Sequence, residues 1–163
     1  MELQFKLIKG DKDIAELRKL AIQIWNVHYP PIIGQKQVNY MLDQMYSFES
    51  LKEQIFVNKN IITGAYLDGI MAGYISYSKT GPQDFFIHKL YVNTEIHRKG
   101  IGKSLFDHIF DDIDFRTIRL TVNRLNILAV NFYFRLGFKI EKTIDIDIGE
   151  GFWMNDFVML LQK

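Results

Sequence analysis

A glycine-rich, basic stretch from His97 to Ser104 is the part of the sequence best suited to bind a charged ligand. It follows a predicted strand that ends in Leu90, Tyr91 and Val92, and it leads directly into an apolar helical pattern. Amide N–H groups at a helix start bind anions, and glycines let a phosphate approach the backbone closely. The stretch therefore predicts a site for a phosphate-bearing ligand, and the alternative is a glycine-rich turn before an ordinary helix.

Two familiar phosphate motifs do not fit this stretch. The nucleoside triphosphate loop G-x-x-x-x-G-K-[ST] ends in Gly102-Lys103-Ser104, but its first glycine position holds His97. The dinucleotide fingerprint G-x-G-x-x-G uses Gly100 and Gly102, but its third glycine position holds Leu105. Neither a triphosphate loop nor a dinucleotide fold is therefore indicated.

The composition excludes several other kinds of chemistry. The 163 residues include 20 basic and 19 acidic side chains, so a net charge of +1 gives no basic surface for nucleic acid or an anionic membrane. There is no cysteine, and His28, His97 and His108 lack carboxylate neighbours at ligand spacing, so no metal site is expected. The chain lacks the apolar run of a signal peptide or membrane span, and we expect a cytoplasmic protein.

The elements that must position this stretch follow from the periodicity of the chain, which we interpret as a single domain over residues 1–163. A strand at Leu3–Leu7 precedes a helix capped by Asp11, and two further helical patterns lead to a hairpin turned at Asp68-Gly69. The strand Phe85–Val92 is largely apolar, as in a strand covered on both faces, although His88 and Lys89 interrupt it. After the helix that begins near Gly100 come a strand, a helix capped by Asn126 and ended by Gly137, and two last strands. This order predicts a mixed α/β fold.

Two blocks of the sequence resemble the GNAT superfamily of acyl-CoA-dependent N-acetyltransferases. His97 to Gly102 is similar to the family pattern [Q/R]-x-x-G-x-[G/A], with histidine in place of the usual glutamine or arginine. Asn126 to Phe138 resembles the pattern N-x-x-A-x-x-F-Y-x-x-x-G-F. Trp25, Tyr29 and the last hairpin are more weakly similar to bacterial spermidine/spermine acetyltransferases. The resemblance implies a mostly antiparallel mixed sheet of about seven strands, flanked by helices on both faces, with acetyl-CoA as the acyl donor.

The resemblance also implies roles for individual residues. Leu90, Tyr91 and Val92 would contact the pantetheine arm and the thioester, and Asn126 would hydrogen-bond the pantetheine. The pyrophosphate would be held, mostly by backbone amides, along His97, Arg98, Lys99, Gly100, Ile101, Gly102, Lys103 and Ser104. Tyr133 would stand near the sulfur, and seven residues of helix place it about 10 Å along the axis from Asn126. A core aromatic at Tyr133 and a simple helix cap at Asn126 are the structural alternatives.

The implied reaction is N-acetylation of a primary amine by direct attack through a tetrahedral intermediate. Tyr133 is the candidate acid that protonates the departing thiolate. His88, where many relatives carry a glutamate, is a candidate base because histidine titrates near neutrality; the alternatives are a water chain as the base and a merely structural strand histidine.

The acceptor is expected to be a small-molecule amine or a peptide amine. Trp25, Tyr29 and Tyr46 lie in the early helices that commonly wall this pocket in the family. Acidic residues near the end, Asp145 and Asp156 among them, would suit a polyamine-like cation. The alternative function is a non-catalytic acyl-CoA-binding regulatory or interaction module, and a homodimer formed through the last strands also stays open.

Overall fold

The computed structural model describes residues 2–96 and 100–163. In chain order the elements of these residues are β1 (Leu3–Leu7), α1 (Asp11–His28), α2 (Pro30–Ile33), α3 (Gln35–Tyr46), α4 (Phe48–Lys52), a π-helical turn (Glu53–Val57), β2 (Ile61–Leu67), β3 (Ile70–Lys79), β4 (Asp84–Val92), α5 (Ile101–Phe110), β5 (Thr117–Asn123), α6 (Ile127–Leu136), β6 (Lys139–Gly149) and β7 (Phe152–Gln162). The strand order is β1-β2-β3-β4-β5-β7-β6. The β4–β5 pair is parallel, whereas β1–β2, β2–β3, β5–β7 and β6–β7 are antiparallel. The predicted mixed α/β class with a mostly antiparallel sheet of seven strands is confirmed.

The chain divides into two compact units. The first unit comprises the residues up to Ser78 together with Lys89–Asp112, and the second comprises Lys79–His88 together with Ile113–Lys163. The boundary falls inside β4, between His88 and Lys89. The single domain expected over residues 1–163 stays a prediction, and each unit is described by itself.

In the first unit, local sequence signals determine the turns and caps. Asp68 and Gly69 have φ angles of 52° and 78°, so the β2–β3 hairpin closes through the predicted left-handed turn. Ser47 caps α4 by accepting a hydrogen bond from the N–H of Ser50 at 3.1 Å. Asp11, by contrast, is the first residue of α1 and not its cap; Gly10 occupies the cap position and makes no side-chain bond there. The carboxylate of Asp11 still lies in the first turn, where the helix dipole favours negative charge.

Strand β4 differs from the sequence-based expectation of cover on both faces. Its burial alternates along the strand: Phe85, Ile87 and Lys89 are buried, whereas His88 is exposed. The period of two in a strand explains this pattern, because successive side chains point to opposite faces. The two polar residues that interrupt the apolar strand therefore point to opposite faces, Lys89 to the buried face and His88 to the exposed face.

The second unit is a four-strand arrangement with α6. Strand β5 pairs with β4 from Asp84↔Thr117 to Ile87↔Leu120 and with β7 along its whole length. Asn126 caps α6 by accepting from the N–H of Ala129 at 3.4 Å, and Gly137 ends the helix with a φ of 100°. Both ends of α6 therefore lie where the sequence predicts them.

Within residues 2–96 and 100–163, no helix is both long enough and apolar enough to cross a membrane.

Gly73 allows β3 to lie close to the end of β4 within the first unit. A Cβ at Gly73 would lie 2.8 Å from the carbonyl oxygen of Tyr91 and 3.3 Å from a methyl carbon of Leu105. The nearer atom is backbone and cannot rotate away, so we expect Gly73→Ala to destabilise the protein by about 1–3 kcal/mol. Gly10→Ala is the control, because its nearest atom is 3.9 Å away. Urea unfolding measures both, and equal stability of the two variants would contradict the close approach.

Candidate functional site

The start of α5 presents the backbone groups that the sequence analysis assigns to an anion. Gly100, the exposed cap residue, has a φ of 85°, which favours glycine, and the N–H of Ser104 donates to its carbonyl at 2.9 Å. The N–H groups of Ile101, Gly102 and Lys103 precede this first helical bond and have no partner inside the helix. A pyrophosphate fits such a group of donors.

Lys103 is the basic side chain of this stretch that the structure describes. The Lys103 ammonium forms an ion pair with Asp107 one turn later, and that contact raises the pKa of Lys103. It therefore already has an anionic partner. His97, Arg98 and Lys99 lie outside the described residues, and their binding of the pyrophosphate stays a prediction.

Five aromatic side chains of the first unit form what we call the aromatic cluster: Trp25, Tyr29, Tyr46, Tyr74 and Tyr91. The hydroxyls of Tyr29 and Tyr91 are 3.1 Å apart, and those of Tyr46 and Tyr74 are 2.8 Å apart. The Trp25 ring lies 4.4 Å from that of Tyr29 and 5.7 Å from that of Tyr91, centroid to centroid. Trp25 thus contacts both other residues predicted to wall the acceptor pocket, Tyr29 and Tyr46. Trp25 and Tyr29 also contact Tyr91, which is predicted to hold the thioester arm.

The hydroxyls at the centre of the cluster stay protonated over the physiological range. Burial raises the pKa of Tyr46 and of Tyr74 well above the ordinary value for tyrosine. The indole N–H of Trp25 lies near both hydroxyls and opposes this rise in pKa, but its nitrogen is buried without a hydrogen-bond partner that meets normal geometry. The cluster therefore contains a buried donor that no acceptor satisfies.

Lys89 brings a positive charge into the aromatic cluster. Its side chain is only 5% exposed, and its ammonium lies 4.7 Å from the centroid of the Tyr46 ring, a cation–π contact. Across the part of the chain that the structure describes, no hydrogen bond or ion pair reaches this ammonium. Burial lowers the pKa of Lys89 to about 8, so the group is still mostly charged at neutral pH.

In the second unit, α6 presents the two residues expected at the pantetheine arm. Asn126 is 4% exposed, and its side-chain oxygen accepts the capping bond described above. Tyr133 is buried, and its ring makes edge contacts with Phe132 at 5.3 Å and Phe138 at 5.6 Å. Asn126 thus caps α6 and Tyr133 packs among aromatic side chains, and neither arrangement decides between a structural and a cofactor-binding role. Their roles toward a cofactor stay predictions.

His88 and Asp156 are the other candidate proton-transfer groups of the second unit. His88 is exposed on β4, with its ring 5.0 Å from that of Phe86. Asp156 is 4% exposed, and burial raises its pKa to about 6, although Arg124 opposes the rise. A carboxyl group that titrates near neutrality has the acidity that general acid–base work requires.

The acidic residues of the last hairpin are partly neutralised. Asp145 pairs with Arg124 at 2.8 Å, and Asp147 accepts a hydrogen bond from the N–H of Gly149 at 2.9 Å. This segment is therefore less negative than its sequence indicates.

Sequence reasoning missed two members of the site region in the first unit. Tyr74 carries no distinguishing sequence signal, because it lies within residues 71–77 of β3, a run that is buried at every position. Lys89 was noted only as an interruption of an apolar strand. A lysine within an apolar strand could have indicated a functional position, since an unpaired lysine is rarely fully buried.

Comparisons with known proteins bear on the whole chain. A family model described as an acetyltransferase (GNAT) domain matches residues 31–155. A spermidine N(1)-acetyltransferase of Thermoplasma acidophilum is 27% identical over 139 residues, which are 81% of this chain and 86% of that protein. A spermine/spermidine N(1)-acetyltransferase of Bacillus subtilis is 22% identical over 126 residues, which are 71% of this chain and 81% of that protein.

Solved structures have a similar fold. The crystal structure of the PaiA N-acetyltransferase from Thermoplasma acidophilum in complex with coenzyme A has a TM-score of 0.81 at 25% identity, with 100% of both chains covered. A GCN5-related N-acetyltransferase structure from Rhodopseudomonas palustris has a TM-score of 0.80 at 14% identity, with 100% of this chain and 97% of that chain covered. The second likeness concerns the fold alone.

The buried charge of Lys89 predicts a gain in stability when it is removed. Lys89→Met keeps the length of the side chain and removes the desolvated charge. The pKa of Lys89 falls from 10.5 to about 8 on folding, and each pKa unit corresponds to about 1.4 kcal/mol of lost stability at pH 7. Loss of the cation–π contact offsets part of the gain, so we expect the variant to be more stable by about 2 kcal/mol. Because the pKa of Lys89 is lower in the folded state than in the unfolded state, the wild type regains stability as the pH rises from about 8 to 10.5. The advantage of the variant must therefore shrink over that range.

Chemical denaturation at pH 7 and pH 10 measures this difference. Lys79→Met is the matched control, since Lys79 is exposed at the end of β3, and it is expected to change stability by less than about 0.5 kcal/mol. A Lys89→Met variant that is clearly less stable than the wild type at pH 7 would show that the ammonium has a stabilising partner.

Proposed function

The chain belongs to the GNAT acetyltransferase family, and on that premise we propose that it transfers an acetyl group from acetyl-CoA to a primary amine of a small molecule. The observation that carries this proposal is the family match over residues 31–155, which spans β4, the start of α5 and α6. The start of α5 supports it physically, since Gly100 leaves its first N–H groups available to a pyrophosphate.

The reaction requires a neutral amine, because an ammonium has no lone pair to attack the thioester carbon. A free alkylammonium has a pKa near 10.4, so a base must take its proton. His88, exposed on β4, is our candidate for that base, with a water chain as the alternative. The amine nitrogen then bonds to the acetyl carbon and the carbon–sulfur bond breaks. The base keeps the first proton of the ammonium, and the second proton, which the nitrogen loses as the amide forms, balances the proton that the departing thiolate takes up.

Two further groups would act on the charges that develop during transfer. A backbone N–H near Tyr91 or Val92 would stabilise the oxyanion of the tetrahedral intermediate, a contribution of about 3 kcal/mol per donor in known enzymes. The Tyr133 hydroxyl would protonate the departing thiolate or hydrogen-bond its sulfur. Asn126 at the start of the same helix would hold the pantetheine arm.

Polyamines are the first acceptors to test, because two of the relatives are named spermidine and spermine/spermidine acetyltransferases. Peptide amines are a second class to test. Cytoplasmic location, the absence of a metal and a homodimer are further predictions, and sedimentation equilibrium tests the last.

Acetyl-CoA binding tests the cofactor part of the proposal. Ligand at about 100 times its dissociation constant stabilises a protein by about 2.7 kcal/mol, which raises the melting temperature of a domain of this size by several degrees. We expect this shift with acetyl-CoA and CoA but not with ATP. No shift from folded protein would contradict cofactor binding, whereas a shift without turnover on any amine would favour the regulatory module.

Replacement of the Tyr133 hydroxyl tests the proposed acid. Tyr133→Phe keeps the ring between Phe132 and Phe138, so the fold should survive while kcat falls about 100-fold at unchanged acetyl-CoA affinity. Tyr66→Phe is the matched control, because the buried Tyr66 hydroxyl has no hydrogen-bond partner. Steady-state kinetics with release of free CoA as the signal measures both, and an unchanged kcat in Tyr133→Phe excludes the acid role.

A further inference from the structure

Two donors of the first unit, the Lys89 ammonium and the Trp25 indole N–H, lie in the region of the aromatic cluster, and both side chains are largely removed from solvent. The Lys89 ammonium carries three N–H groups over the Tyr46 ring, and the Trp25 indole N–H points toward the hydroxyls of Tyr46 and Tyr74. The Trp25 nitrogen is buried without a hydrogen-bond partner of normal geometry, and Lys89 belongs to none of the ion pairs found among the described residues. A buried donor without an acceptor destabilises the folded protein, and the cost is larger when the donor is charged.

The tyrosine hydroxyls add to this excess of donors. In a pair of hydroxyls one donates and the other accepts, so the accepting hydroxyl keeps a proton for a further partner. Tyr46 and Tyr74 form such a pair in the cluster. Tyr91 is only half-buried, so the cluster reaches the surface beside the residues expected to hold the thioester.

The charge of this region is positive and comes from the Lys89 ammonium. Each carboxylate that forms an ion pair in the described residues does so with a basic side chain other than Lys89. Burial lowers the pKa of Lys89, and no neighbouring anion contributes to this shift. A ligand that satisfied this region would bring negatively charged oxygen, together with apolar surface for the rings.

We propose that the Lys89 ammonium binds a carboxylate of the acceptor, so that the acceptor is an amine that also carries a carboxylate, such as an α-amino acid. This inference rests on the proposed acetyltransferase function and names its substrate class. Charge-assisted hydrogen bonds from an ammonium to a carboxylate are about twice as strong as neutral ones. The bound carboxylate would also remove the cost of the unpaired ammonium.

A polyamine fits the same region poorly. The face of the Tyr46 ring that a cationic amine would use already carries the protein's own ammonium at 4.7 Å. A second cation there would meet like charge in a nearly dry environment, which disfavours that class of acceptor. The acceptor specificity therefore differs from that in the names of the relatives reported above.

Matched acceptor pairs test the proposal with the wild-type protein. Lysine and cadaverine differ only in the carboxylate, and so do phenylalanine and phenethylamine. With acetyl-CoA as donor and release of free CoA as the signal, we expect kcat/KM to be at least about 10-fold higher for the carboxylate-bearing member of each pair, a difference of about 1.4 kcal/mol.

Variants at Lys89 assign that preference to the ammonium. Lys89→Met should raise KM for the amino acids about 10-fold or more, with little change of kcat and no rise in KM for the decarboxylated amines. Lys89→Arg keeps the charge and should retain a good part of the preference. Lys79→Met removes an exposed positive charge and should leave every ratio unchanged. Acetyl-CoA affinity, measured by thermal shift, should be the same in all three variants.

The outcomes separate this inference from the proposed function. Turnover of both members of each pair at equal kcat/KM, or a preference for the decarboxylated amines, overturns the inference and leaves the acetyltransferase function intact. A carboxylate preference that survives in a folded Lys89→Met variant also overturns it. No turnover with any amine overturns the proposed function and the inference with it. Should Lys89→Met fail to fold, the wild-type pairs still decide.

Discussion

The absence of a side chain at Gly73 is the constraint on which the first unit depends. The carbonyl oxygen of Tyr91 and the Cα of Val92 occupy the space that a side chain at Gly73 would need, since a Cβ there would lie 2.8 Å and 3.4 Å from them. The amide of Asn93 then donates to the carbonyl of Ala72 at 2.8 Å, which ties the end of β4 to β3. This position of β4 lets the Tyr91 hydroxyl meet that of Tyr29 and lets Lys89 lie over Tyr46.

Lys89 costs the folded protein stability, and the carboxylate binding proposed for it would account for its presence. A methionine of similar length would fill the same space without a desolvated charge, so packing gives no reason for a lysine there. Residues that cost stability and persist in a fold are commonly explained by activity, because activity often needs a group that the folded state would otherwise avoid. The buried indole N–H of Trp25 follows the same logic, since a hydrocarbon ring in its place would leave no donor unsatisfied.

Features governed by neighbouring residues could be predicted from the sequence. The turn at Asp68-Gly69, the cap at Asn126 and the end of α6 at Gly137 each depend on a few adjacent positions, so residue type determines them. The aromatic cluster was partly predictable, because Trp25, Tyr29 and Tyr46 lie on early helices. What sequence could not show was depth of burial and pairing in space. The burial of Lys89, the neutralisation of Asp145 by Arg124 and the unpartnered state of Trp25 all arise from segments far apart in the chain.

The two tryptophans of the chain give it an internal optical reporter. Trp25 is 2% exposed and lies among tyrosine hydroxyls, whereas Trp153 on β7 is 48% exposed. A soluble quencher such as iodide reaches the second indole far more readily than the first, so the unquenched emission comes mainly from Trp25. The wavelength and intensity of that emission depend on the polarity and charge around its ring. Fluorescence in the presence of iodide therefore follows the occupancy of the aromatic cluster in the unmodified protein, without a label or a coupled enzyme.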